Sequence, residues 1–150
     1  MKWIALATLI VGLVAGSPRA QPPQDLSQYQ WKNRLLLVFA PSEQNPAYLD
    51  LHDQLQASET ELVDRDLIVF RLFAEGQGSV AEAPIGNDSV SFLYNRFDVQ
   101  QGASTVVLIG KDGGEKLRQV DGFDLQAIFD RIDAMPMRQR EMRQRKRDET

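Results

Sequence analysis

Pro41-Ser42-Glu43-Gln44-Asn45-Pro46-Ala47-Tyr48 lies between a run of apolar residues and a run with helical spacing. A helix that starts here leaves its first N–H groups without partners and turns the positive end of its dipole outward, which favours an anion or a carbonyl oxygen. Ser42, Gln44, Asn45 and Tyr48 add hydrogen-bonding side chains at the same place, so a small ligand or a partner's backbone could sit there. The competing reading is that Ser42 and Asn45 only cap the helix and shape the turn.

Other candidates are weaker. His52, the single histidine, lies between Asp50 and Asp53, and neither aspartate shares its helix face as a triad partner would. With no second histidine and no cysteine, a metal site has no ligand set, and His52 reads as an exposed or half-buried helix residue. Gly76-Gln77-Gly78 lacks the Lys-Ser/Thr of a phosphate loop and reads as a flexible loop. The carboxylates show no spacing that isolates a general-acid pair.

The sharper alternative is the C-terminal cluster Arg138, Arg140, Arg143, Arg145, Lys146 and Arg147. These cations could meet an anionic envelope surface or an acidic partner, each contact contributing on the order of 1 kcal/mol. They could also dock on this protein's own acidic body, or remain a solvated helical extension.

The 150 residues are enough for one domain, and 43% hydrophobic with 25% charged residues is the composition of a soluble globule. The charge is uneven. Residues 21–136 hold 9 Lys/Arg against 18 Asp/Glu, whereas 137–150 hold 6 against 3. An acidic body with a basic end does not suggest nucleic-acid binding. The absence of cysteine removes thiol–disulfide chemistry, any disulfide partner and every thiolate metal centre.

The N-terminal run Trp3–Gly16, preceded by Lys2, is too short for a comfortable bilayer crossing at about 14 residues. It reads as a secretory signal peptide over residues 1–20, cleaved after Gly16 or Ala20, and implies a periplasmic or secreted protein. An uncleaved anchor is the competing reading. Residues 21–30, rich in Pro and Gln, read as a flexible lead-in.

The elements that must position the candidate residues follow from periodicity. Arg34–Ala40 is a continuous apolar run, as in a strand buried on both faces. Asn45 and Pro46 suit the N-cap and first position of a helix whose apolar residues are Tyr48, Leu51 and Leu55. Asp66–Phe73 is a second buried strand, giving a right-handed βαβ unit with parallel strands. Residues 74–88 read as a loop or insertion, and Ser89–Phe97 as a helix. Ser104–Gly110 and Glu115–Phe123 form a hairpin around Asp112-Gly113. An amphipathic helix with Leu125, Ile128, Phe129 and Ile132 on one face closes a domain of residues 31–136, leaving 137–150 as a basic polar tail. The order β-α-β-α-β-β-α is that of a thioredoxin-like α/β core.

The chain also resembles the DUF4174 family of exported bacterial proteins, which is similar to the peroxiredoxin-like domains of vertebrate extracellular sushi-repeat proteins. The resemblance runs over about residues 25–145 and is carried by Leu35–Ser42 (LLLVFAPS), Gly110–Arg118 (GKDGGEKLR) and Ile128–Arg143 (IFDRIDAMPMRQREMR). The last, with its Ile-Asp-x-x-Pro-Met-Arg, is the most specific. It implies a thioredoxin- or peroxiredoxin-like fold and lends no assigned activity. In the thioredoxin register Gln44 and Ala47 fall at the two cysteine positions with Pro46 between them; the peroxiredoxin register lands on Asn45 and Tyr48. Neither holds sulfur, and Ser104 or a neighbour stands where a thioredoxin places its cis-proline.

These observations together predict an exported thioredoxin-like module without cofactor. It would bind a protein or a small ligand at the helix start (Ser42, Gln44, Asn45, Tyr48), with the basic tail as a second contact. The alternatives are an enzyme using Ser, Tyr or carboxylate groups that converge in three dimensions, and an envelope-associated factor held by the tail.

Overall fold

Seven residues without polar alternation, Arg34–Ala40, form β1, and all seven are buried. Such a strand must be covered on both faces, so it takes the centre of a sheet. The computed structural model describes residues 24–150 and shows this arrangement. After β1 come α1 (Pro46–Gln56), α2 (Glu59–Asp64), β2 (Leu67–Phe73), β3 (Gly78–Val80) and β4 (Ala83–Ile85). These are followed by α3 (Asn87–Arg96), β5 (Thr105–Ile109), β6 (Glu115–Val120), α4 (Leu125–Asp133) and α5 (Pro136–Asp148). The sheet has six strands in the order β4-β3-β2-β1-β5-β6. Only the β1/β2 pair is parallel, as the helical crossover between them requires.

Alternate residues of β1 feed two apolar layers. Leu36, Val38 and Ala40 pack with α1 and α4, whereas Leu35, Leu37 and Phe39 pack with α3. The apolar face expected of α4, Leu125, Ile128, Phe129 and Ile132, is buried in the first layer. Its start is held by Asp124, whose side chain accepts from the Ala127 N–H at 2.9 Å.

Four segments differ from the sequence-based expectation. The signal-peptide reading of residues 1–20 lies outside the described residues. Part of the flexible lead-in, Leu26–Tyr29, is a 3-10 turn capped by Asp25, with Leu26 buried. Its Tyr29 ring stands edge-on to Phe70 at 5.6 Å. An apolar pair among polar residues is enough to anchor a short turn that periodicity does not reveal. The loop expected over 74–88 contains the β3–β4 hairpin, which satisfies the backbone edge of β2 that would otherwise stay open. Gly78 is required there: a Cβ would meet the Arg71 carbonyl and Val90 Cγ2, each at 2.8 Å. Helix α2 is additional; it lies between the expected first helix and second strand.

The largest difference is at the C-terminus. The segment expected as a polar tail beyond residue 136 is α5, and it docks on the body of the domain. Arg138 is 2% exposed. Its guanidinium donates to the Asp64 carboxylate, to the Asp64 carbonyl at 2.7 Å and to Asp133 at 3.1 Å. Arg145 donates to the same Asp64. Glu141, between these two arginines along the helix, receives both terminal nitrogens of Arg34 at 3.1 and 3.3 Å and Lys111 Nζ at 2.7 Å. A segment this rich in like charge packs because the body supplies carboxylates where Arg138 and Arg145 land.

Burial alone would raise the pKa of Glu141, but the hydrogen bonds from Lys111 and Arg34 outweigh it and hold the carboxyl below its ordinary range. A lowered carboxylate pKa stabilises the folded state above the unfolded-state value and ceases to do so as pH falls through the folded value. Glu141→Gln is therefore expected to cost about 3 kcal/mol at pH 7, because it leaves Arg34 buried without its charge partner. The gap between variant and natural protein in urea unfolding should close as pH drops below the ordinary glutamate value of about 4.3. A gap that persists unchanged at pH 3 would show that Glu141 acts by packing and not by charge.

Candidate functional site

The start of α1 is built by Asn45 and Pro46. Pro46 takes the first helical position, where a missing N–H does no harm. The Asn45 side-chain oxygen accepts from the Tyr48 N–H at 3.1 Å and from the Ser104 hydroxyl at 3.0 Å. Ser104 lies just before β5, opposite the helix start, and no peptide bond among the described residues is cis. The asparagine oxygen is thus spent inside the fold, joining helix to strand. Ser42 lies half-buried in the turn, its carbonyl accepting the Asn45 N–H at 3.2 Å. These two residues shape the turn.

Gln44 and Tyr48, with Leu49 and His52, form one side of a cleft of about 570 Å³ between α1 and the β2–β4 region. The facing side comes from Arg71 and Phe73 on β2, Gln77 to Ser79, Glu82 and Pro84. The β3–β4 hairpin that sequence reasoning did not anticipate therefore makes the second wall. Tyr48 is 6% exposed and its ring stands edge-on to Phe73 at 4.9 Å, with the His52 ring 5.7 Å away. Burial pushes the Tyr48 hydroxyl pKa up, partly opposed by the nearby Arg71 guanidinium. The phenol is thereby kept as a neutral hydrogen-bonding group.

Arg71 is the cleft residue that the sequence reading missed. It is the single charged side chain inside the apolar strand Leu67–Phe73, and that interruption was the available signal. One terminal nitrogen donates to the Ala81 carbonyl at 2.8 Å and to Glu82 at 3.2 Å. Glu82 is 91% exposed, so the ion pair contributes little. Arg71 Nε is buried with no hydrogen-bond partner, and so is His52 Nδ1. A buried polar atom without a partner costs on the order of 1–3 kcal/mol. His52 thus lines the cleft, where the sequence supported only a bystander.

The tail residues divide. Arg138 and Arg145 are consumed by Asp64 and Asp133. The side chains of Arg140, Arg143 and Lys146 have no hydrogen-bond or ion-pair partner among the described residues, and that of Arg147 bonds only to Gln144 of its own helix, at 3.2 Å. Among the described residues no group of three or more His, Asp or Glu gathers as metal ligands.

Comparison with known proteins places this geometry. A family model described as "Domain of unknown function (DUF4174)" matches residues 25–141. Coiled-coil domain-containing protein 80 of Danio rerio is 29% identical over 136 residues. The match covers 78% of this chain and 15% of that protein, so the chain corresponds to a small part of that relative's length. Among solved structures, the reduced 2-Cys peroxiredoxin of Plasmodium vivax is similar with a TM-score of 0.56 at 18% identity, covering 77% of this chain and 84% of the other. The fold is thus thioredoxin-like, a mixed sheet flanked by helices, without the sulfur that its redox members use.

Asn45→Ala is expected to lower stability by about 1–2 kcal/mol through loss of the cap. In a double-mutant cycle with Ser104→Ala the two effects should not add, since both act on one oxygen. Simple additivity in chemical denaturation would deny the helix-to-strand link.

Proposed function

We propose, from the premise that the chain belongs to the DUF4174 family, that it is a non-redox binding module. Its ligand is a peptide segment held by carboxylate or backbone carbonyl groups in the cleft between α1 and the β3–β4 hairpin. One observation carries this reading. Arg71 Nε and His52 Nδ1, both buried without partners, belong to side chains that line one open cleft of about 570 Å³. A guanidinium, a neutral phenol and an imidazole on apolar walls hold an oxygen acceptor well. The apolar segment Trp3–Gly16 supports export as part of the same proposal, and the outward cations Arg140, Arg143, Lys146 and Arg147 support a second contact with an anionic surface.

The test is selection of peptides from a random display library on the protein, followed by amide NMR titration. Selected peptides should shift residues 43–52, 71–73 and 77–84, and Arg71→Gln should weaken them about tenfold by loss of a charge-assisted hydrogen bond. Peptides that bind elsewhere, or that bind a folded Arg71→Gln equally well, would defeat the cleft reading. For the second contact, sedimentation with phosphatidylglycerol vesicles at low salt should fall in the variant with all four outward cations changed to Gln. Equal sedimentation of the two proteins would remove it.

A further inference from the structure

Trp31 is held at φ 66°, in the left-handed region that a bulky side chain rarely adopts, and 63% of its surface is in solvent. The fold imposes both properties. Its N–H donates to the Lys111 carbonyl at 2.6 Å, and the Lys32 and Asn33 N–H groups both bond back to Tyr29 at 3.0 and 2.9 Å. A backbone cost combined with an exposed indole is an outlier of the kind that accumulates at ligand sites. Here the indole forms one wall of a pocket of about 370 Å³, a separate site from the α1 cleft.

The opposite wall is the junction of α4 and α5, where Met135, Pro136 and Met137 supply an apolar surface. This is the most specific stretch of the sequence, and the cleft described above makes no use of it. Five cations complete the lining: Arg34, Lys111, Lys116, Arg131 and Arg140. Three of them are compensated. Arg34 and Lys111 share Glu141, with Asp66 also on Lys111, and Lys116 pairs with Asp112. Arg131 makes only a 3.3 Å bond from Nε to the Lys116 carbonyl, and Arg140 makes no bond. Neither has a carboxylate within ion-pair distance among the described residues. Two guanidiniums without carboxylate partners thus stand beside an indole and a methionine-lined wall, on a chain whose net charge is −4.

Guanidinium groups bind oxyanions with paired N–H donors, and an indole offers a flat face for stacking. We infer that this pocket binds a small organic oxyanion with a flat apolar body, its ring against Trp31 and its charged oxygens on Arg131 and Arg140. The ring requirement distinguishes it from a plain ion site, and the two arginines distinguish it from a hydrophobic slot.

The test uses the full chain and the indole N–H resonance of Trp31, assigned with Trp31→Phe. Phenyl phosphate, benzenesulfonate and benzoate are titrated beside inorganic phosphate and benzyl alcohol. At least one aryl oxyanion should give a saturable shift, and inorganic phosphate and benzyl alcohol should each bind at least about tenfold more weakly. Arg131→Gln/Arg140→Gln, changes at two exposed positions, should weaken the aryl oxyanion by about tenfold or more with an unchanged melting temperature. The proposal is overturned if no aryl oxyanion saturates or if inorganic phosphate binds as tightly as the aryl oxyanions. Unaltered binding by the double variant would also overturn it, and the indole signal reports on this pocket whether or not peptides occupy the α1 cleft.

Discussion

Two arginines, Arg34 at 1% exposed and Arg138 at 2%, are shut away from water, and the rest of the molecule is arranged around keeping them paired. A guanidinium keeps its charge under all ordinary conditions, so burial must be compensated by carboxylates with good hydrogen-bond geometry. Arg34 begins the central strand and its partner Glu141 comes from the last helix. Arg138 belongs to that helix, and its partners Asp64 and Asp133 come from the ends of α2 and α4. The two pairings run in opposite directions, so α5 cannot leave without stranding charge on both sides of the interface. The Arg65 guanidinium adds to the same corner, bonding Asp133 at 2.6 Å and lying 4.5 Å over the Phe129 ring.

This constraint also decides where surfaces for binding arise. Docking α5 against the beginning of β1 and the end of β5 creates the recess beside Trp31, and it consumes Arg138 and Arg145 while leaving Arg140 outside. On the other side of the domain, the start of α1 is closed by the Asn45 oxygen and the Ser104 hydroxyl. The open cleft runs beside it, from Glu43 and Gln44 along α1 to His52, against a hairpin that extends the sheet. The chain without cysteine thus carries a cleft with its own polar groups.

Much of this was readable in the chain. A strand without polar alternation must be covered on both faces, so β1 and β2 were evident as buried strands. The apolar spacing of α4 and the Asn45-Pro46 start of α1 likewise carry local physical signals. What escaped were elements whose cause is not local. The β3–β4 strands have three residues each and pair because the edge of β2 needs partners, which no periodicity records. Arg71 and His52 are ordinary residues in sequence and become cleft residues only when that hairpin stands across from α1. Of the four side chains expected to gather at the helix start, Gln44 and Tyr48 line the cleft; Asn45 turns to Ser104, and Ser42 remains in the turn.

The sequence by itself determined that thiol chemistry is impossible, because a chain without cysteine has no sulfur nucleophile or redox pair. It also determined the thioredoxin-like order of elements, because hydrophobic period and helix caps are local properties. Tertiary structure alone decided the fate of the C-terminal cations. A run of arginines has the same sequence whether it is solvated or buried, and the choice depends on a carboxylate more than 70 residues away, Asp64, which meets both Arg138 and Arg145. Long-range electrostatic pairing leaves no periodic trace, so it appears only when the chain has folded.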